Sequence, residues 1–375
     1  APVVGIGENS HGIAEFKTAP YRLVRRLVAD HGYRLLAIEG TLGDFAPVNA
    51  YVTGETSDLD AAMADLDFYF WRADGIRRLF EWLRTFNDGR PASDQAVVYG
   101  YDAQFHDVNA TAIRAYFERV DPDYLREIAA TLDPLTTPLY EDDDAEFVTE
   151  ARLSLLDALR DRLRNQRREY VAASSESEWQ LTRRHVWTLE RGLRFQEALD
   201  AQEYLRGKEI RDPAMAENVA WLRDWTGRER TVVMGNSNHT MRGYSRENQR
   251  GGRMGQHLTD RLGADYSSLG LLFGTGSFAV PEDHAETTFA TYDLDGPVAD
   301  TLAATLADAS APQLFLDLDA ARDRAVIDEW LSNTSAVQFT VPNAPQRGAV
   351  ALPTVPGDVY DAVLFVGDAT PASFD

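Results

Sequence analysis

The sequence predicts an α/β protein, with a central, mainly parallel sheet flanked by helices. Three observations predict it. First, short apolar runs rich in β-branched residues recur at 3–6, 35–38, 96–101, 231–234, 267–273, 313–316 and 360–366, each leading into turn residues. Second, Tyr21, Leu23, Val24, Leu27 and Val28 repeat at helical spacing between the first two runs, with Arg22, Arg25 and Arg26 facing outward. Strand, helix and strand within about 35 residues form a βαβ unit, which implies parallel pairing. Third, strand runs vanish over residues 111–224, where helical periods such as Trp179, Val186, Leu189 and Leu193 take over. Residues 1–110 and 225–375 are therefore expected to form the α/β core, and residues 111–224 a large helical insertion roofing the active-site cleft.

Within this plan, residues 76–83 form a further amphipathic helix ahead of the third strand. Glu141-Asp142-Asp143-Asp144 and Ser174-Ser175-Glu176-Ser177 are expected to be loops between helices. His31, before Gly32, fits a helix C-terminus, where an imidazolium complements the dipole. His106, His185 and His284 lie in polar stretches and need no special role. Phe68-Tyr69-Phe70-Trp71 suits a core, although Trp71 and Arg72 could line a pocket mouth.

Composition narrows the function classes. The net charge of −23 argues against nucleic-acid and anionic-membrane partners, since phosphate neutralisation needs a basic face. The sequence has no cysteine, which excludes disulfides, thiolate metal sites and a cysteine nucleophile. Only Lys17 and Lys208 are lysines; every other cationic side chain of this type is arginine. No apolar run approaches the roughly 20 residues that span a bilayer, and there is no signal-peptide pattern, so a cytoplasmic location is expected. Nothing fixes the oligomeric state.

Four apolar strands end in polar residues: Glu8 and His11 after the first, Glu39 after the second, Tyr101-Asp102-Ala103-Gln104 after the third, and Asn236-Ser237-Asn238-His239 after the fourth. In a parallel sheet those C-terminal ends converge on one crevice. His11 and His239 arriving there with Glu8 and Glu39 make an acid/base site, because imidazole is the side chain suited to proton transfer near neutral pH. Gly5-Ile6-Gly7 is not a dinucleotide fingerprint, since Ser10 replaces the third glycine and Glu8 would repel a pyrophosphate. Gly235-Asn236-Ser237-Asn238-His239 approaches a nucleophile elbow, but His239 replaces its final glycine, so Ser237 is the weaker nucleophile reading. Glu8, His11, Glu39 and His239 could ligate a metal, yet no HExxH or paired-histidine motif is present. Neither cofactor nor metal is expected. The expected partner is a small molecule.

These blocks resemble the erythromycin esterases, hydrolases that open macrolide lactones. Gly7-Glu8-Asn9-Ser10-His11-Gly12 is similar to that family's G-E-x-x-H-G motif. Further similar blocks are Leu36-Ala37-Ile38-Glu39, Asn49-Ala50-Tyr51-Val52, Trp71-Arg72, Met215-Ala216-Glu217-Asn218, Met254-Gly255-x-His257-Leu258 and Phe273-Gly274-x-Gly276-Ser277-Phe278. The resemblance implies an ester or lactone substrate, polyketide-like among others, and metal-independent hydrolysis. His11 would be the general base on water, Glu8 and Glu39 would orient it or the water, and His239 would contact substrate or oxyanion. Asn236, Trp71, Arg72, Arg22 and Gln104 would complete substrate binding.

Two positions depart from the family pattern. Asn236 stands where the family has the first of two histidines three residues apart, and Pro20 stands where its first helix carries an arginine, with Arg22 as the nearest stand-in. The departures open a rival reading: a non-hydrolytic relative, such as a lyase, dehydratase or cyclase of secondary metabolism, in which His11 abstracts a substrate proton. A binding protein with a vestigial site is a third reading, opposed by the retention of Glu8, His11, Glu39 and His239.

Overall fold

The computed structural model describes residues 1–64, 66–138, 148–243, 252–282, 288–309, 311–333, 336–340 and 348–374. The acidic stretch Glu141-Asp142-Asp143-Asp144 and His284 lie outside the described residues.

All seven expected strands form. They are β1 (Val3–Glu8), β2 (Leu35–Thr41), β3 (Val97–Asp102), β4 (Thr231–Asn236), β5 (Tyr266–Pro281), and, after β6 (Phe289–Leu294), β7 (Gln313–Asp317) and β10 (Ala362–Ala369). They make one sheet in the order β3-β2-β4-β1-β5-β10-β7, with β6 added antiparallel to the far half of β5. Pairing is parallel from β3 through β10, and β7 closes the edge antiparallel. A separate hairpin pairs β8 (Ala336–Thr340) with β9 (Ala349–Pro353). The sequence pattern did not reveal β6, β8 or β9: β6 and β9 are short and half-exposed, and β8, though buried, is five residues long and broken by Gln338.

Helices cover both faces of the sheet. On one face α1 (Glu15–His31) packs Phe16, Val24 and Val28 against Ile6, Ile38 and Met234. It ends at His31, as expected, with Gly32 at φ 72°. Ala46–Thr53 (α2), Leu59–Ala64 (α3) and Asp74–Asn87 (α4) follow, and α4 buries Ile76, Leu79, Phe80 and Leu83 in the same core.

Between β3 and β4 the described residues are helical: α5 (Asp107–Val120), α6 (Pro122–Leu132), α7 (Glu150–Asn165), α8 (Arg167–Ala173), α9 (Glu176–Asp200) and α10 (Tyr204–Thr226). Helices α5 to α9 share a core of their own around Phe117, Leu159, Trp179 and Leu189. Helix α10 instead lays Met215, Val219 and Leu222 on the second face of the sheet, against Leu35, Val97 and Val233. The expected loop at Ser174-Ser175-Glu176-Ser177 is only half a loop. Ser175 accepts from the Glu178 N–H as N-cap of α9, and Glu176 and Ser177 already belong to its first turn.

The turn after β1 is held by close backbone approach. The Gly12 carbonyl accepts from the Ala279 and Ala372 N–H groups at 2.9 Å each. A Cβ at Gly12 would fall on the backbone carbonyl of Ala279, which cannot swing away as a side chain could. We expect Gly12→Ala to destabilise the fold by about 1–3 kcal/mol, the usual range for forced overpacking. Chemical denaturation against wild type measures it.

Candidate active site

The C-terminal ends of β3, β2, β4 and β1 lie side by side and present Asp102, Glu39, Asn236 and Glu8 in that order across the sheet. Register is tight: Glu8 pairs with Asn236 across β1 and β4. The chain turns back on both sides of β1 here, which is where doubly wound sheets open a crevice. Of these four, Glu39 and Asn236 line one cleft of about 420 Å³ together with His11, His239 and Gln104, while Glu8 and Asp102 are buried beneath its wall.

His11 is the centre of the first cluster. Its Nδ1 lies 2.8 Å from Glu8 Oε1, and its Nε2 lies 3.3 Å from Asn236 Nδ2. The Asn236 side-chain oxygen accepts from the Asn238 N–H at 2.8 Å, which directs Nδ2 toward His11. An amide NH₂ can only donate, so Nε2 is the acceptor, and the ring proton sits on Nδ1, donated to Glu8. Phe70 stacks on the imidazole at 3.9 Å between centroids and 9° between planes, which fixes its tilt.

Behind His11, Lys17 Nζ donates to both oxygens of Glu8 at 2.6 and 2.7 Å. Burial by itself would raise the Glu8 carboxyl, but the Lys17 charge and the His11 hydrogen bond outweigh it and hold the carboxyl below its ordinary value. Burial pulls the Lys17 ammonium down, against the opposing attraction of Glu8.

His239 repeats the motif from the other side. Its Nδ1 lies 2.8 Å from Asp212 Oδ1 on α10, and its Nε2 lies 3.6 Å from Glu39 Oε1. Asp212 also accepts from the Met254 N–H at 3.0 Å. Burial would raise its carboxyl, but the neighbouring His239, Arg253 and Arg211 lower it. Glu39 Oε2 accepts from the Asn236 N–H at 2.5 Å, while Arg211 binds Asp102 in a fork and reaches Glu39 at 3.5 Å.

The structure sorts the expected site residues. It brings His11, Glu8, Glu39, His239, Asn236 and Gln104 together. Glu39 sits on the His239 side and makes no hydrogen bond to His11, so orienting His11 falls to Glu8. Trp71 does not line the cleft: it is buried behind Glu39 and donates its indole N–H to the Glu39 carbonyl. Arg72 is absent from the cleft wall and lies near the buried carboxyl of Asp44 instead. Arg22 is exposed on the outer side of α1, in a groove with Arg25, Arg26 and Trp82. The cation that α1 sends inward is Lys17. Ser237 is fully buried beneath Gly7 and does not line the cleft. His106 and His185 are both buried. His185 Nδ1 meets Asn109 Oδ1 at 2.8 Å, and burial pushes its imidazole down to about 4.

Sequence reasoning missed Lys17, Asp212 and Arg211. A signal existed for each. Lys17 is in helical register with Val24 and Val28 on the apolar stripe of α1, and Tyr204, Lys208, Arg211 and Asp212 share one face of α10. Among the described residues no group of three or more His, Cys, Asp or Glu side chains is arranged to hold a metal ion.

A mostly parallel sheet with a polar cleft across its strand ends places the chain among the α/β enzymes. The chain belongs to the erythromycin esterase family, a family of hydrolases, whose sequence profile matches residues 28–369. The Glu8 and His11 motif lies ahead of that matched stretch. Erythromycin esterase type II of Escherichia coli is 23% identical over 314 residues, covering 76% of this chain and 72% of its own. Among solved structures, a mutant of the erythromycin esterase EreC in its open conformation superposes with a TM-score of 0.73 at 17% identity, covering 100% of this chain and 92% of its own. A succinoglycan biosynthesis protein superposes at 0.80 and 19% identity, over 100% of this chain and 90% of its own. At such identities the structural matches establish the fold.

Two stability experiments follow from the buried charges. Lys17→Met strands the Glu8 carboxylate, and removing one partner of a buried pair costs about 3–5 kcal/mol. The double variant Glu8→Gln/Lys17→Met should recover a large part of that loss in a denaturation-based double-mutant cycle. Burial and the Asp107 charge raise the Asp67 carboxyl from 3.8 to about 7. A carboxyl raised in the folded state binds its proton more tightly there than in the unfolded chain. Its contribution therefore falls as pH rises through that window. Asp67→Asn should raise the Tm measured at about pH 8 and flatten its decline from acid pH.

Proposed function

We propose that the chain hydrolyses a carboxylic ester or lactone, with His11 as general base. The observation that carries this reading is the His11 dyad: Nδ1 is committed to Glu8, so the basic nitrogen is Nε2 at the cleft, where a water would take the place of its 3.3 Å contact with the Asn236 amide. In the proposed step, Nε2 takes a proton from a water whose oxygen bonds to the acyl carbon. The tetrahedral oxyanion then collapses, the acyl C–O bond breaks, and the alkoxide leaves with its electron pair and takes up a proton. The Glu8 carboxylate stabilises the imidazolium that forms on His11, as in a triad that lacks its serine.

His239 supplies the complementary role. Its Nδ1 meets Asp212 at 2.8 Å, and its Nε2 stands 3.6 Å from Glu39 at the wall of the cleft. In the proposed step a protonated His239 stabilises the oxyanion and gives a proton to the leaving oxygen, and the proton that His11 took from water then passes through solvent to His239, which resets both rings. The Asn236 amide positions the water or the carbonyl oxygen. Every proton in this scheme moves between imidazole, water and substrate, so no metal is required. Family membership supports hydrolysis, and macrolide lactones are one candidate substrate among esters.

Asn236 favours a second reading, in which the same His11 abstracts a substrate proton in an elimination or cyclisation. A neutral amide orients a substrate there without supplying a second acid or base. Mass spectrometry of macrolides, simple lactones and aryl esters incubated with the protein separates the two. We expect a product heavier by one water, whereas a product of equal mass or lighter by one water would replace hydrolysis with the second reading. His11→Ala should lower turnover by about 100- to 10,000-fold, the usual contribution of a positioned general base. Exhaustive chelation should leave the wild-type rate unchanged.

A further inference from the structure

The chain has two lysines, and both reach the candidate site: Lys17 beneath Glu8, and Lys208 on the wall of the cleft. Lys17 is consumed by Glu8. Lys208 has no hydrogen bond or ion pair among the described residues. It projects from the face of α10 that also carries Tyr204, Arg211 and Asp212 at helical spacing, and all four line the cleft. Arg253, buried at the start of the helix Met254–Leu262, lines the same cleft and lies close enough to Lys208 for the two charges to oppose each other.

The carboxylates nearby have other obligations. Glu8 holds Lys17, Asp102 holds Arg211, Glu39 takes the Asn236 N–H, and Asp212 takes His239 and the Met254 N–H. Burial and the Arg253 charge pull the Lys208 ammonium below its ordinary value, against the weaker attraction of Asp212. The wall beside it is apolar: Phe195, Leu199 and Tyr204 stand on α9 and α10, facing Phe68 and Phe70. A cationic rim next to an apolar wall, in a chain whose net charge is −23, is a local attractor for an anion that the rest of the surface repels.

We propose that the substrate of this cleft carries an anionic group, a carboxylate or its sulfate or phosphate equivalent, which Lys208 receives while the apolar remainder lies on the aromatic wall. The assignment rests on the hydrolytic reading above and narrows it to anionic esters. Lys208 determines specificity rather than chemistry, since proton transfer stays with His11.

The test compares matched ester pairs. One pair is 4-nitrophenyl monoglutarate against 4-nitrophenyl pentanoate, with the carboxylate on the acyl side. The other is 4-acetoxybenzoate against phenyl acetate, with the carboxylate on the leaving side. At low ionic strength at least one anionic ester should exceed its neutral partner in kcat/KM by about tenfold, through KM, as a charged hydrogen bond would give. That ratio should collapse in Lys208→Gln and shrink with added salt. Neutral esters preferred in both pairs, or an anionic preference that survives Lys208→Gln, overturns the proposal.

If none of the four esters is hydrolysed, the hydrolytic reading fails on its own, and calorimetric titration with glutarate and 4-hydroxybenzoate still decides the anion site. Saturable binding to wild type that Lys208→Glu abolishes supports the site. No binding of either probe, or binding that Lys208→Glu leaves intact, overturns it.

Discussion

Everything around the cleft depends on how this fold tolerates a carboxylate buried at the end of β1. Glu8 is nearly inaccessible, and an isolated carboxylate there would take up a proton rather than remain charged. Lys17 prevents this by reaching both oxygens from the first turn of α1, with its ammonium also over the faces of Phe70 and Trp71. Because Glu8 stays ionised, it accepts the Nδ1 proton of His11, and the lone pair of the opposite nitrogen is turned to the Asn236 amide at the cleft. One ion pair therefore sets the charge of Glu8, the tautomer of His11 and the seat of α1 against the sheet.

The same device recurs along the row of strand ends. Asp102 is paired with Arg211, Glu39 accepts from a backbone N–H and lies near the same guanidinium, and Asp212 meets His239 and accepts from a helix-start N–H. Each acid is matched to a donor from a different segment, so helices that pack for apolar reasons also carry the charges the site needs. The two imidazoles differ in their surroundings. His11 lies between a carboxylate, an amide and a phenyl ring, while His239 lies between two carboxylates. That contrast is why the proposed mechanism gives them opposite duties.

How much of this could be read in advance is clearest at particular residues. Glu8, Glu39, Asn236 and His239 were legible because polar residues closing an apolar parallel strand have few other places to go. Lys17 was not, although its substitute was sought in the right helix. Arg22 lies two residues beyond Pro20, a rotation of about 200°, which turns it to solvent. Lys17 lies three residues before Pro20, about one helical turn, which brings it to the same inward face. Trp71 was legible as an aromatic neighbour of the site, but not as part of the buried layer behind it.

The sequence by itself determined the parallel sheet, the convergence of four strand ends, and the imidazole and carboxylate that stand there, because strand periodicity and strand-end polarity are local properties. It also determined that lysine is spent at only two positions. The tertiary structure alone decided which carboxylate each histidine meets, which cations neutralise them, and that α10 reaches the sheet to supply Asp212 and Arg211. Those pairings join residues as far apart as Glu39 and Arg211, through contacts set by helix rotation and packing. No spacing along the chain encodes them.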